Sequence, residues 1–190
     1  IYAPAALTLN RPGWLALAGE DGRWEATWWG FDPETVTTGT DAAPESRILY
    51  PNVGIAVTRT GGEYLAITNG VVGTNGFGNH KHNELLGFEY HTRGVPFLID
   101  AGSHVYTSDF DSRNRFRSTA IHNTVMIDGE EQNETRPEWI FRLFESASPE
   151  HVTFEEAGGV VTYTGRHTGY QRIPAKATHE RTFSYQRSTG

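Results

Sequence analysis

Three kinds of side chain in this sequence have the types and spacing for chemistry. The first is His80-Lys81-His82, two imidazoles two positions apart, which in an extended chain point to one face. A carboxylate follows at Asp100, before Ala101-Gly102, and another imidazole at His122. Imidazole nitrogen and carboxylate oxygen are both zinc ligands, and three protein ligands leave one position for water. Spacing alone leaves two readings open: a metal site, or separate polar residues at strand ends bonded to backbone groups.

The second group is the run DSRNRFRST, which carries Arg113, Arg115 and Arg117 and follows Tyr106. Guanidinium groups grip carboxylate or sulfate with two parallel hydrogen bonds, which suits an acidic sugar. Pairing with Asp109, Asp111 or nearby glutamates explains the same run equally well. The third group is Trp14, Trp24, Trp28 and Trp29, read as core aromatics in preference to a sugar-stacking surface. The remaining histidines, His91, His104, His151, His167 and His179, read as surface or strand-end residues.

The elements that must position these groups are strands. The chain has 190 residues, rich in Gly, Thr and aromatics, with a single Met and no long helical stretch. Short β-type runs cover 46–50, 54–60 and 64–68, and a glycine-rich loop over 69–79 delivers the chain to His80. Arg93-Gly94 joins 85–92 to 95–100 as a tight hairpin. Residues 109–117 read as a short helix or ordered loop, 121–127 as a strand, and 152–154, 160–165 and 177–185 as further strands. Asp32 to Glu45 reads as a loop. The expectation is one all-β domain over 1–190, an antiparallel β-sandwich.

The formal net charge of −7 argues against general nucleic-acid binding. With no cysteine, disulfides and thiolate metal sites are excluded. No apolar run is long enough to span a bilayer, and the first residues lack the order of a signal peptide. The abrupt start at Ile1 leads to the expectation that the chain is a fragment.

The stretch HKHNELLGFEYHTRGVPFLIDAGSHVYTSDFDSRNRFRSTAIHNTVMIDGEEQN closely resembles the central signature of the heparinase II/III-like polysaccharide lyases. That signature has an HxH pair, an Asp-x-Gly turn, a Tyr, an arginine-rich stretch ending in R-S-T, and HNT before a D-G turn. Weaker similarity covers YPNVGIAV and GYQRIPAKATHERTF. The resemblance implies a β-sandwich preceded in the same chain by an α/α toroid, a structural Zn2+ on His82, Asp100 and His122, and His80 projecting into the sugar cleft. It further implies β-elimination on uronic-acid-containing acidic polysaccharides. Arg113 and Arg117 are the arginines expected to contact such a substrate, Tyr106 and Asn123 are further candidates for lining the cleft, and the expected location is periplasmic or secreted. Tyr106 as a buried aromatic with a bonded hydroxyl is the plain alternative for that residue.

One departure stands out: Asn83-Glu84 occupies the place where many members carry Asp. Cupin metalloenzymes also use an HxH pair, but their Glu ligand follows four or five residues later, where Leu86 and Gly87 stand here. A non-catalytic carbohydrate-binding or zinc-stapled structural module is the remaining alternative.

Overall fold

The structure, a computed structural model, describes residues 2–9, 11, 14, 21–32 and 45–186. They fall into two compact units, 1–44 and 45–190, where the sequence reading treats 1–190 as one β-domain. The loop read over Asp32–Glu45 lies mostly outside the described residues.

The first unit is helical. Helices α1 (Tyr2–Thr8) and α2 (Asp21–Trp28) bury Ala3, Ala6 and Ala26 against each other, with Leu7 and Phe31 closing over them. Small alanines form this contact, so the tryptophans are left outside it: Trp24, Trp28 and Trp29 are exposed, and Trp14 is partly so. The expectation that these aromatics form core is corrected accordingly.

The second unit is the expected antiparallel β-sandwich. Strands β1 (Ser46–Tyr50), β2 (Ile55–Thr60), β3 (Glu63–Thr68), β4 (Gly87–Thr92) and β5 (Val95–Leu98) form one sheet in sequential order. The second sheet is β6 (Pro149–Ala157), β7 (Val160–His167) and β8 (His179–Gln186), also sequential. Alternation fixes the register: β2 buries Ala56, Thr58 and Thr60 and turns the intervening residues outward. Ala56, Leu65, Ile67 and Leu86 then pack on Tyr163 of the second sheet, with Phe88, Phe154 and Phe183 around them. Burying a side chain such as Ile67 contributes about 2 kcal/mol. Arg93 and Gly94, both at positive φ, make the β4–β5 hairpin a tight two-residue turn.

Between the sheets runs the irregular segment that carries the chemistry. Its one α-helix, α3 (Phe110–Phe116), starts at Asp109, whose carboxylate accepts from the backbone N–H groups of Asp111 and Ser112. The strand expected at 121–127 is absent. A 3-10 turn spans Thr119–Ile121, and Ile127 makes only an isolated bridge to Glu130. Side chains replace the ladder: Asn123 Nδ2 donates to the carbonyls of Phe88 and Ile99, and Thr124 Oγ donates to that of Leu85.

His167 and His179 are not surface residues. Both are buried, and His167 Nε2 lies 3.0 Å from His179 Nδ1. The Gly169 amide donates to His167 Nδ1, so the proton of His167 sits on Nε2 and is donated to His179. Burial, reinforced by His179, pushes the His167 pKa down from 6.5 to about 3. Burial likewise lowers that of His179. The folded chain therefore excludes a proton that the unfolded chain accepts below the ordinary value of 6.5. This contribution to stability is complete above that pH and lost as pH falls toward about 3. The slope from His167 alone approaches about 1.4 kcal/mol per pH unit. Urea midpoints measured at neutral and mildly acidic pH should show wild type losing more stability than His167→Gln; equal losses would remove the pair from the pH response.

Candidate metal centre and the adjoining aromatic cluster

Residues 79–86 are held in place by a buried polar hub. Asn83, fully buried, donates through Nδ2 to Glu131 Oε2 at 2.8 Å and to the Asn133 carbonyl at 2.9 Å, and accepts the Asn133 amide at 3.0 Å. Its own amide donates to the Arg117 carbonyl. Glu131 also accepts from Ser118 Oγ and from the amide and hydroxyl of Thr119. The HxHNE segment is thereby bound to the turn that delivers His122.

Asp100 follows β5 after Ile99. Its Oδ1 accepts the Gly102 amide at 2.8 Å, a local turn that fixes the carboxylate. Its Oδ2 lies 2.5 Å from His122 Nδ1. Burial pushes the Asp100 carboxyl up, but the His122 hydrogen bond and the Gly102 amide outweigh it, and the net displacement is downward. With Nδ1 engaged by a carboxylate, His122 presents Nε2, which is buried and has no hydrogen-bond partner. An imidazole oriented by a carboxylate with its other nitrogen unsatisfied is a common arrangement around bound metals.

Glu84 completes a group with these two: one ligand atom each from Glu84, Asp100 and His122 lies within 4.8 Å of the others. Desolvation pushes the Glu84 carboxyl up, and Lys81 pulls against it. Two carboxylate oxygens and one imidazole nitrogen can hold a divalent ion.

His82 stands beside this group. Its ring centroid is 5.3 Å from that of His122, while its Nε2 accepts from Arg113 Nη1 at 2.8 Å. Burial first, then the charge of Arg113, lowers the His82 pKa to about 4, so the ring is neutral near pH 7. The structure thus joins Asp100 and His122 directly, adds Glu84, and turns His82 Nε2 toward Arg113. Sequence reasoning noted Glu84 only as a departure from pattern; the signal was its position two residues after His82.

His80 is exposed and is outside the Glu84–Asp100–His122 group. Its ring meets Tyr106 and Phe141 edge-on, with centroids at 5.8 and 5.9 Å, and those two rings stack on each other. The Arg113 guanidinium lies over both, 5.8 Å from Tyr106 and 5.4 Å from Phe141. Arg113 therefore links the metal-competent group to the aromatic cluster, touching His82 on one side and the rings on the other. Tyr106 is half exposed, not the buried aromatic of the alternative reading. Phe141, far along the chain in a segment without a motif, was not legible beforehand.

Three of the expected substrate contacts are committed elsewhere. Arg113 is buried, and its Nη1 donates to His82 Nε2. Arg117 is buried; its Nε and Nη2 donate to Asn114 Oδ1, its Nη1 to the Arg142 carbonyl and its Nη2 to the Arg136 carbonyl. Asn123 is the staple between β4 and the end of β5 described above. Arg117→Ala should therefore destabilise the fold by about 3 kcal/mol through the carbonyls it leaves unsatisfied. A thermal melt checks this; unchanged melting with weaker glycan binding would return Arg117 to the substrate.

Residues 42–189 match the family described as heparinase II/III-like, C-terminal. Among solved structures, the chain is similar to heparinase III, the BT4657 gene product, with a TM-score of 0.63 and 19% identity over 90% of this chain and 26% of that one. It is also similar to heparan sulfate lyase HepC from Pedobacter heparinus, with a TM-score of 0.59 and 18% identity over 96% of this chain and 24% of that one. At these identities the likeness shows the fold. The chain spans about a quarter of the length of these relatives. No curated protein matches it.

Proposed function

The chain belongs to the heparinase II/III-like C-terminal family, and on that premise we propose that it is the β-sheet domain of a lyase cleaving uronic-acid-containing polysaccharides. Cleavage is by β-elimination. A base removes the C5 proton, the electron pair forms the C4–C5 double bond, and the glycosidic oxygen leaves from C4 with a proton from an acid. The C5 proton is too weakly acidic unless the neighbouring carboxylate is neutralised, so donors aimed at the developing enolate supply much of the acceleration.

His80 is the group for that carboxylate. The observation that carries the reading is its placement: exposed, at the edge of the Tyr106–Phe141 pair, with Arg113 behind the rings. Tyr106 lines the surface for the sugar, and the buried Arg113 backs its ring from within. Arg117 and Asn123 act one step back, holding the backbone that presents it. The base and acid come from an N-terminal α/α toroid domain of the parent chain.

The zinc is placed on His82, Asp100 and His122; Glu84, Asp100 and the orphaned His122 Nε2 support a divalent ion here, and His82 would join them only on releasing its Nε2 from Arg113. Zinc supplies no step of the elimination here; it fixes the segment from which His80 projects. No described helix is long and apolar enough to cross a membrane. A periplasmic or secreted location belongs to the same proposal, since long acidic glycans are met outside the cytoplasm.

The test is turnover by the full-length parent on alginate, heparan sulfate and other acidic glycans, followed by ultraviolet absorbance of the unsaturated uronate. Product from at least one of them is expected. Binding without product would favour a carbohydrate-binding module.

A further inference from the structure

A second surface lies on the same segment as Phe141 but uses other side chains. Trp139 and Phe144 stack with centroids 5.8 Å apart, and the Arg142 guanidinium sits 4.8 Å from Trp139, 4.5 Å from Phe144 and 5.3 Å from Phe77. Arg136 lies over Phe144 at 4.9 Å and is paired with Glu134 at 3.8 Å. Arg142 makes no ion pair among the described residues, and its Nε is buried without a partner. Trp139 and Phe77 nonetheless keep 43% and 45% of their surface exposed.

The patch is held in shape. Arg117 binds the carbonyls of both Arg136 and Arg142, the Leu143 amide donates to the Phe77 carbonyl, and Phe144 bridges to Glu134. It is close to the site above along the chain: Phe77 precedes His80 by three residues, and Phe141 lies between Trp139 and Arg142.

Partly exposed aromatic rings beside a guanidinium without an ion pair among the described residues match a sugar ring that bears a carboxylate or sulfate. The C–H face of the ring stacks on the aromatics and the anion meets the arginine. In a chain of net charge −7, a local cation kept free of acidic partners favours an anionic occupant. We propose that Phe77, Trp139, Arg142 and Phe144 form a second subsite for an anionic sugar of the same glycan, beyond the unit at His80. This rests on the acidic-glycan reading of the chain.

The experiment uses the full-length parent with Trp139→Ala, Trp139→Phe and Arg142→Gln, on tetrasaccharides and octasaccharides of alginate and heparan sulfate. For the octasaccharide that is cleaved, Trp139→Ala should raise KM about tenfold with kcat unchanged, as expected for one lost stacking contact. The tetrasaccharide should be unaffected, and Trp139→Phe should restore most of the loss. Arg142→Gln should raise KM for the native octasaccharide and leave that for its carboxyl- and sulfate-depleted form unchanged. Length-independent losses accompanied by a lower melting temperature would make the patch a structural clamp, and an unchanged KM would likewise overturn the subsite. Should the parent cleave none of these glycans, the lyase reading fails, and titration of binding still decides the subsite. Weaker octasaccharide binding by Trp139→Ala supports it; equal or absent binding overturns it.

Discussion

If the proposed zinc is bound, substituting His122 by alanine should abolish metal binding and lower the melting temperature by about 10 °C. Two losses combine in this substitution. The imidazole is buried between Asp100, 2.5 Å from Nδ1, and a position where Nε2 has no partner. Its removal takes away the only nitrogen in the Glu84–Asp100–His122 group and leaves two carboxylates close together without it. If zinc is free at about a thousand times its dissociation constant, its binding stabilises the folded state by about 4 kcal/mol. For a domain of this size that corresponds to about 2–4 °C per kcal/mol. A strong chelator should reproduce most of the shift in wild type and add little in the variant. Elemental analysis alongside the melts makes the attribution. If wild type is metal-free and chelator leaves its melting unchanged, the group is an ordinary hydrogen-bonded cluster.

The second large effect is expected at His80. In the full-length parent, His80→Ala should lower kcat by about 100- to 1000-fold, the usual cost of removing one donor from a developing oxyanion. Folding and metal content should be unaffected, because His80 is exposed and its described contacts are ring contacts with Tyr106 and Phe141. A loss confined to KM would mark His80 as a binding residue only. Normal turnover would remove it from the mechanism.

Strands were legible where one face is buried. In β2 and β3, IAVTRT and EYLAIT, the β-branched and aromatic residues mark the strands, and burial then alternates along them. The run 121–127 has the same appearance, yet Ser118, Asn123 and Thr124 hydrogen-bond backbone groups through their side chains, and the ladder is lost. The helices of the first unit were missed because their contact is made by alanines, which carry no strong periodic signal. The fifty-residue signature brought the eye to Asp100 and His122, which the structure joins. It could not reveal that His82 Nε2 meets Arg113, since that contact depends on where α3 places a side chain buried between two elements. Nor could it show Phe141, which reaches His80 by long-range folding alone, or the His167–His179 pair, which closes only when β7 and β8 align.

The proposed parent lyase breaks glycosidic bonds by elimination at a uronate. The mass of the oligosaccharide products measures this most directly. Elimination is predicted to give fragments whose masses sum to that of the substrate, with an ultraviolet-absorbing unsaturated uronate at the new non-reducing end. Fragments that together carry the added mass of a water molecule, without that absorbance, would contradict it.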